Sequence, residues 1–468
     1  MKSKYKYLIK NMGLLTLSSF ATRLLSFFLV PLYTSVLSTE EYGTYDLVNT
    51  TISLFFPILT LDIQEAVLRF SLDKDSNPKK VLSVGVKYFW ISTLIVTGLV
   101  LLNKHFQFID IFSRYSLEFI LVYIATSLSG IVTYYARGDD KVKELSISSV
   151  IASVVTISCN IYFLLILKIG LNGYFYSTIL GPTVQTIYLL SVLKSWPSLF
   201  KHNNDKKLQK EMVRYSSPMV ANAVSWWVNN ASDRYVVTWL LGVSANGIYS
   251  VAYKIPSIIS VLQSIFGQAW TLSAVKDFDK EDKSGFFINV YNLYNFMLVA
   301  SCSVLIFLDK PLAKMLFAKD FFQAWQYSPF LMISTVFSGM SAFIGGLFSA
   351  MKNSKTFAQT SVITAVVNTI GNIILVLLIG TVGAAISTAI AFMLMWWIRL
   401  KYVRKDVDLR VSIKRDLFSY FLLYLQAVLL ILDNRSGLFC WYQALFVIII
   451  LLLYKNECNK FLQKFKNR

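Results

Sequence analysis

Long apolar stretches alternate with short polar segments from one end of the chain to the other. A helix rising 1.5 Å per residue needs about 20 largely apolar residues to cross the hydrocarbon core. By that measure fourteen spans are predicted, at 11–37, 43–69, 83–103, 116–136, 145–168, 173–193, 215–241, 246–270, 285–308, 326–351, 357–379, 382–400, 417–432 and 438–454. Spans 1, 2, 7 and 8 carry the most polar residues. The fold class is therefore an all-α polytopic membrane protein. Lys2, Lys4, Lys6 and Lys10 precede the first apolar run, as in a signal peptide. That run holds Arg23, continues to Leu37 and has no small-residue cleavage site, so it reads as an uncleaved span with a cytoplasmic N-terminus.

Composition sharpens this picture. Of 468 residues, 55% are hydrophobic and 15% charged, and soluble domains carry roughly 25% charged residues. The mean hydropathy is +0.55. Disordered, collagenous and disulfide-stapled chains are excluded. The net charge of +19 sits in short clusters between apolar runs, the pattern of cytoplasmic loops and not of a nucleic-acid groove. With fourteen spans, 34 Lys and Arg fall on the side of the N-terminus and 7 on the other, which predicts an even number of spans and two cytoplasmic termini. Cys159, Cys302, Cys440 and Cys458 are scattered and His105 and His202 lie in loops, so no disulfide framework, metal site or cofactor is expected.

The spans repeat. Leu37, Gly43 and Tyr45 match Leu241, Gly247 and Tyr249. Ser149-Val150-Ile151, Val154-Val155 and Asn160 match Ser361-Val362-Ile363, Val366-Val367 and Asn372. Gly170, Gly173 and Ser177-Thr178 match Gly380, Gly383 and Ser387-Thr388. Six spans separate each pair, so the two six-helix halves have parallel topology. The expected organisation is an N-terminal lobe (1–193, spans 1–6), a cytoplasmic linker (194–214), a second lobe (215–400, spans 7–12), then spans 13 and 14 with a basic tail (401–468). Transporters are commonly built from two such halves with the substrate between them. Ser38-Thr39-Glu40-Glu41 reads as a capping box opening span 2, and Pro57 and Pro256 permit kinks in spans 2 and 8.

Polar residues inside the membrane mark the candidate site, because a charge at mid-bilayer costs about 2.5–3.5 kcal/mol on insertion scales. In span 1, Ser19, Arg23 and Ser26 share one helical face. In span 7, Asn222, Ser225 and Asn229 follow helical spacing, and the adjacent Asp233 and Arg234 each need a partner of their own. Lys254 lies in span 8. Arg23, Arg234 and Lys254 are the candidate cavity cations, suited to an anionic substrate, with Ser19, Ser26, Asn222 and Asn229 as polar lining. Asp62, Glu65 and Arg69 sit towards the cytoplasmic end of span 2, where Glu65 and Arg69 are spaced as an ion pair; these and Asp233 are candidates for a gate or for proton or sodium coupling. Lys87 is expected to snorkel to the cytoplasmic headgroups. No catalytic constellation is present.

At these residues a resemblance emerges. Leu37-Ser38-Thr39-Glu40-Glu41-Tyr42-Gly43-Thr44-Tyr45-Asp46, and Ser232-Asp233-Arg234-Tyr235 followed by Leu241-Gly242 and Gly247-Ile248-Tyr249, resemble the Wzx-type polysaccharide repeat-unit flippases of the multidrug/oligosaccharidyl-lipid/polysaccharide exporter superfamily. The likeness runs over essentially the whole chain. It implies two six-helix lobes with spans 1, 2, 7 and 8 around a cavity whose cations correspond to Arg23, Arg234 and Lys254. It also implies alternating-access export of an undecaprenyl-diphosphate-linked oligosaccharide across the bacterial cytoplasmic membrane, for capsule, exopolysaccharide or O-antigen. A polysaccharide polymerase and glycosyltransferases are the implied partners, and spans 13 and 14 would guide the lipid tail, by analogy with lipid II flippases.

Three alternatives stand beside it. A multidrug cation antiporter of the same superfamily predicts carboxylates at the cavity centre, where span 1 has Arg23 and no acid. A lipid II flippase predicts an arginine-rich signature near the first spans. A membrane polymerase or transferase needs catalytic residues on a sizeable outer loop, and the predicted outer loops are mostly turns.

Overall fold

The computed structural model describes residues 27–457 apart from 74–75, 201–204, 277, 280, 284, 352, 433–438 and 456. Among the described residues it is helical throughout, and contacts divide it into two compact units between Trp227 and Val228.

The first unit contains α1 (Val30–Val36), α2 (Thr39–Leu59), α3 (Ile63–Ser71), α4 (Pro78–Phe106), α5 (Asp110–Arg114), α6 (Ser116–Gly138), α7 (Val142–Ile161) with a π turn (Tyr162–Ile166), α8 (Gly170–Val192) and the opening of α9 (Lys206–Leu241). Its helices start where the sequence supplies caps. Ser38 accepts the amide of Glu41 while the Glu41 carboxylate accepts that of Ser38, so the predicted capping box is formed. Asn77 caps α4 ahead of Pro78. The core joins Ile63, Ala66 and Val67 of α3 to Val81 and Phe89 of α4, Ile131 and Tyr135 of α6, Leu189 of α8 and Met212 of α9. Leu94, Leu99 and Leu101 of α4 point outward and are exposed. A helix apolar on both its packed and its outer face suits a bilayer.

The second unit contains the rest of α9, α10 (Val243–Ala252), α11 (Pro256–Lys276), α12 (Phe286–Phe307), α13 (Asp309–Leu316), α14 (Ser328–Ala350), α15 (Ser354–Ile379), α16 (Thr381–Asp406), α17 (Ile413–Leu432) and α18 (Phe439–Leu453). Helix α14 is the most enclosed and packs on α11, α12 and α16. The two C-terminal helices fasten to α12 through buried polar layers. Gln426 of α17 bonds both Ser303 of α12 and Gln443 of α18, and Tyr454 bonds Asn295, Ser419 and Asp416.

Some of the matched positions are built alike. The hairpins α7–α8 and α15–α16 both turn on a left-handed glycine, Gly170 at φ 58° and Gly380 at φ 68°, where a side chain would be strained. Asn160 and Asn372, a matched pair, are both fully buried. Both prolines accompany the predicted kinks: α2 and α3 meet at 61° just after Pro57, and α10 and α11 at 52° just before Pro256.

The predicted fourteen spans are not reached on length and apolarity. Among the described residues eight helices are long and apolar enough to cross a bilayer, and ten if each bent pair is one span. Helices α8 and α9 fall outside that set, Trp441–Leu453 is apolar but short, and most of the first predicted span lies outside the described residues. The predicted linker is also partly structured. Trp196–Leu199 forms a 3-10 turn, and α9 starts at Lys206, because Asp205 caps it through the Leu208 amide.

Candidate functional site

The second half of α9 and the bend between α10 and α11 build a polar cluster in the second unit. Asp233 is buried, at 1% exposure. Its Oδ2 accepts the Tyr249 hydroxyl at 2.7 Å and the Tyr253 hydroxyl, and its Oδ1 accepts the Arg234 backbone amide at 3.0 Å. Tyr249 lies on α10 and Tyr253 closes that helix at the bend, so the carboxylate ties α9 to the broken span. Adjacent residues on a helix point about 100° apart, and the Arg234 guanidinium lies over the Tyr253 ring, 5.2 Å from its centroid. Such a contact adds about 0.5–2 kcal/mol, more as it is desolvated. Lys254 follows directly, half-buried at the bend, its amide bonded to the Val251 carbonyl. The structure thus brings Asp233 and Arg234 to the turn that carries Lys254.

Asn229 stands one turn earlier on α9, 5% exposed, and donates to the Ser361 carbonyl of α15. Ser361 leads to a residue at the cytoplasmic end of the span predicted at 382–400, where its charge counts with the basic flank. Arg399 of α16 is 3% exposed and donates to Ser361 Oγ and the Ser341 carbonyl at 2.9 Å and to Thr360 Oγ1 at 3.0 Å, with its guanidinium stacked 4.4 Å from the Phe357 ring. A signal was available. Phe392, Met395, Trp396, Arg399 and Val403 form one helical stripe, and all five are buried. Asn222 is exposed and belongs to the part of α9 in the first unit, near Ser225, whose hydroxyl bonds the Ala221 carbonyl.

In the first unit, Asp62 occupies the break between α2 and α3. It is 5% exposed, accepts from Gln64, and is left-handed, as is Leu61. Glu65 is half-buried. The predicted Glu65–Arg69 pair does not form. Arg69, in the last turn of α3, pairs instead with Asp73, at the same spacing but on the exposed side. The Lys87 ammonium donates to Gln209 Oε1 of α9 at 2.9 Å. Ser19, Arg23 and Ser26 lie outside the described residues. Among the described residues no cluster of three or more His, Cys, Asp or Glu is placed to hold a metal ion.

With this geometry in hand, the likeness to known proteins can be read. The probable low-salt glycan biosynthesis flippase Agl15 of Haloferax volcanii is 24% identical over 240 residues, and the match spans half of each chain. A lipid II flippase MurJ in an inward closed conformation superposes with a TM-score of 0.68 at 19% identity, over 95% of this chain and 98% of that one. An inward-facing multidrug resistance MATE family transporter of the MOP superfamily gives 0.70 at 14% identity, over 82% and 94%. These superpositions show a shared fold. Residues 8–271 match the family described as polysaccharide biosynthesis protein, more than half of the chain, and the chain belongs to that family.

Proposed function

We propose that the protein is a flippase that carries a prenyl-diphosphate-linked oligosaccharide across the cytoplasmic membrane by alternating access of its two lobes. In this reading Arg234, with Arg23 and Lys254, receives the diphosphate, and Asn222, Asn229, Ser19 and Ser26 line the path of the first sugars. The prenyl tail stays in lipid, and no covalent chemistry is involved. The observation that carries the reading is a half-buried guanidinium on α9, inside the span predicted at 215–241, in a chain from a polysaccharide biosynthesis family. A guanidinium fork accepts two phosphate oxygens at once. The similarity to a probable glycan biosynthesis flippase, Agl15, over half its length supports a glycan as cargo.

Asp233 is a proposed coupling group. Its hydroxyl partners sit at the bend of the broken span, so protonation or cation binding there would act on the bend directly. Asp62, at the other bend, is the proposed counterpart, with Glu65 and Arg69 beside it as a gate. A polymerase and glycosyltransferases are the proposed partners at the membrane.

Reconstituted vesicles test the reading. Arg23→Ala and Arg234→Ala are expected to abolish translocation of a labelled lipid-linked oligosaccharide while the protein inserts and folds, and Arg→Lys to be tolerated in part. Normal translocation by both alanine variants removes the assignment. Faster transport of a cationic dye than of the lipid-linked glycan replaces it with the multidrug reading.

A further inference from the structure

In the first unit, α4 and the opening turns of α9 line an open pocket of about 610 Å³. Its charged walls are Lys87, Lys206, Lys210 and Arg214, and Tyr88 and Gln209 supply its neutral polar groups. Every charged side chain described in its wall is a cation. Lys206, Lys210 and Arg214 are spaced by four, so they form one row on α9, while Lys87 faces them from α4. The acids Asp205, which caps α9, and Glu211 within it are not in the wall.

The pocket is a built one. Lys87 Nζ donates to Gln209 Oε1 at 2.9 Å, and Gln209 Nε2 donates to the Tyr88 hydroxyl at 2.9 Å. This relay fixes an ammonium and an amide from segments 122 residues apart. It also leaves the other Lys87 hydrogens for a ligand, since an ammonium has three donors. A concave site walled by one sign of charge concentrates counter-ions. The volume lies within the range of small-ligand pockets.

What continues from the pocket is apolar. Lys87, Trp90, Ile91 and Leu94 lie on one stripe of α4, and the last three are 41%, 41% and 73% exposed. Lys87 stands about 13 Å along α4 from Pro78, near the start of the apolar stripe. We infer that this pocket binds the phosphate or diphosphate head of a membrane lipid whose tail lies along Trp90, Ile91 and Leu94. The shared chemistry is a phosphate ester on an apolar chain, supplied either by an anionic phospholipid of the bilayer or by a prenyl diphosphate. The site does not depend on the transport reading and survives its failure.

The test uses the full chain in phosphatidylcholine nanodiscs, with binding followed by native mass spectrometry. Phosphatidylglycerol, undecaprenyl diphosphate and inorganic diphosphate are the three probes. Each cation near a membrane surface strengthens anionic-lipid binding about fivefold, so Lys206→Gln with Lys210→Gln should weaken the lipid about 25-fold. Lys206→Arg with Lys210→Arg should bind as the parent does. Trp90→Gln keeps every cation, and so separates the tail contact from the charges should the double variant fold poorly; it should weaken lipid and leave inorganic diphosphate unchanged. Loss confined to phosphatidylglycerol identifies a bilayer phospholipid, and loss confined to undecaprenyl diphosphate identifies a carrier lipid. Both lipids bound undiminished by the glutamine and Trp90 variants, or inorganic diphosphate bound as tightly as either lipid, overturns the site.

Discussion

Replacing Tyr249 by phenylalanine removes one oxygen from the centre of the second unit. Tyr249 is fully buried, and its hydroxyl donates to Asp233 at 2.7 Å. A hydrogen bond to a charged group contributes about 1.5–3 kcal/mol, whereas side-chain hydrogen bonds measured within membranes average about 0.6 and reach about 1.7. The charged acceptor places this bond at the upper end of the membrane range. The Tyr253 hydroxyl and the Arg234 amide still serve Asp233 in the variant, so the carboxylate is not stranded. The ring remains, and with it the tilted contact to Tyr327 at 6.3 Å. The expected cost is therefore about 1.5 kcal/mol. Titration with a denaturing detergent in mixed micelles reads it for the purified chain. Combined with Asp233→Asn in a double-mutant cycle, the two changes should couple by about 1.5 kcal/mol. A cost under about 0.5 kcal/mol with no coupling would refute the assignment of this bond.

Other perturbations have similarly direct readouts. Gln426→Leu deletes three side-chain hydrogen bonds to Ser303 and Gln443 and should cost about 2–3 kcal/mol in the same titration, loosening α17 and α18 from α12; an unchanged midpoint would count against the polar layer. Arg399→Lys cannot reach Thr360, Ser341 and Ser361 together and should destabilise by about 1–3 kcal/mol, whereas full retention of stability would mean the guanidinium fork is not needed. Ser38→Ala should cost about 0.5–2 kcal/mol and speed amide exchange at the start of α2, and Ser38→Gly only a few tenths; equal effects would remove the capping argument.

What the sequence could and could not disclose follows from the range of the interactions. Local chemistry was legible. Ser38 and Glu41 form their box, Pro57 and Pro256 mark the two bends, and Gly170 and Gly380 turn the matched hairpins. Partners across helices were not. Spacing alone allowed Arg69 to pair with Glu65 or with Asp73, each four residues away, and burial decided for Asp73. The bond from Lys87 to Gln209 spans 122 residues, which no periodicity encodes. Arg399 was counted with its basic neighbours, although its helix runs on to Asp406 and its stripe turns inward. The polar character of span 7 was plain, yet the tyrosines that hold Asp233 depend on how α10 folds back beside α9.

The break between α2 and α3 places two consecutive non-glycine residues, Leu61 and Asp62, at φ 56° and 50°. Each such residue costs about 1–2 kcal/mol relative to right-handed helix. The joint therefore carries a backbone cost at these two positions, and it persists because Ile63, Ala66 and Val67 are fully buried against α4 and α6. The joint behaves like a cocked spring whose catch is a patch of aliphatic packing. Whatever pries that patch open, a guest molecule or a shift of the neighbouring helices, would be rewarded by the recoil of the backbone itself.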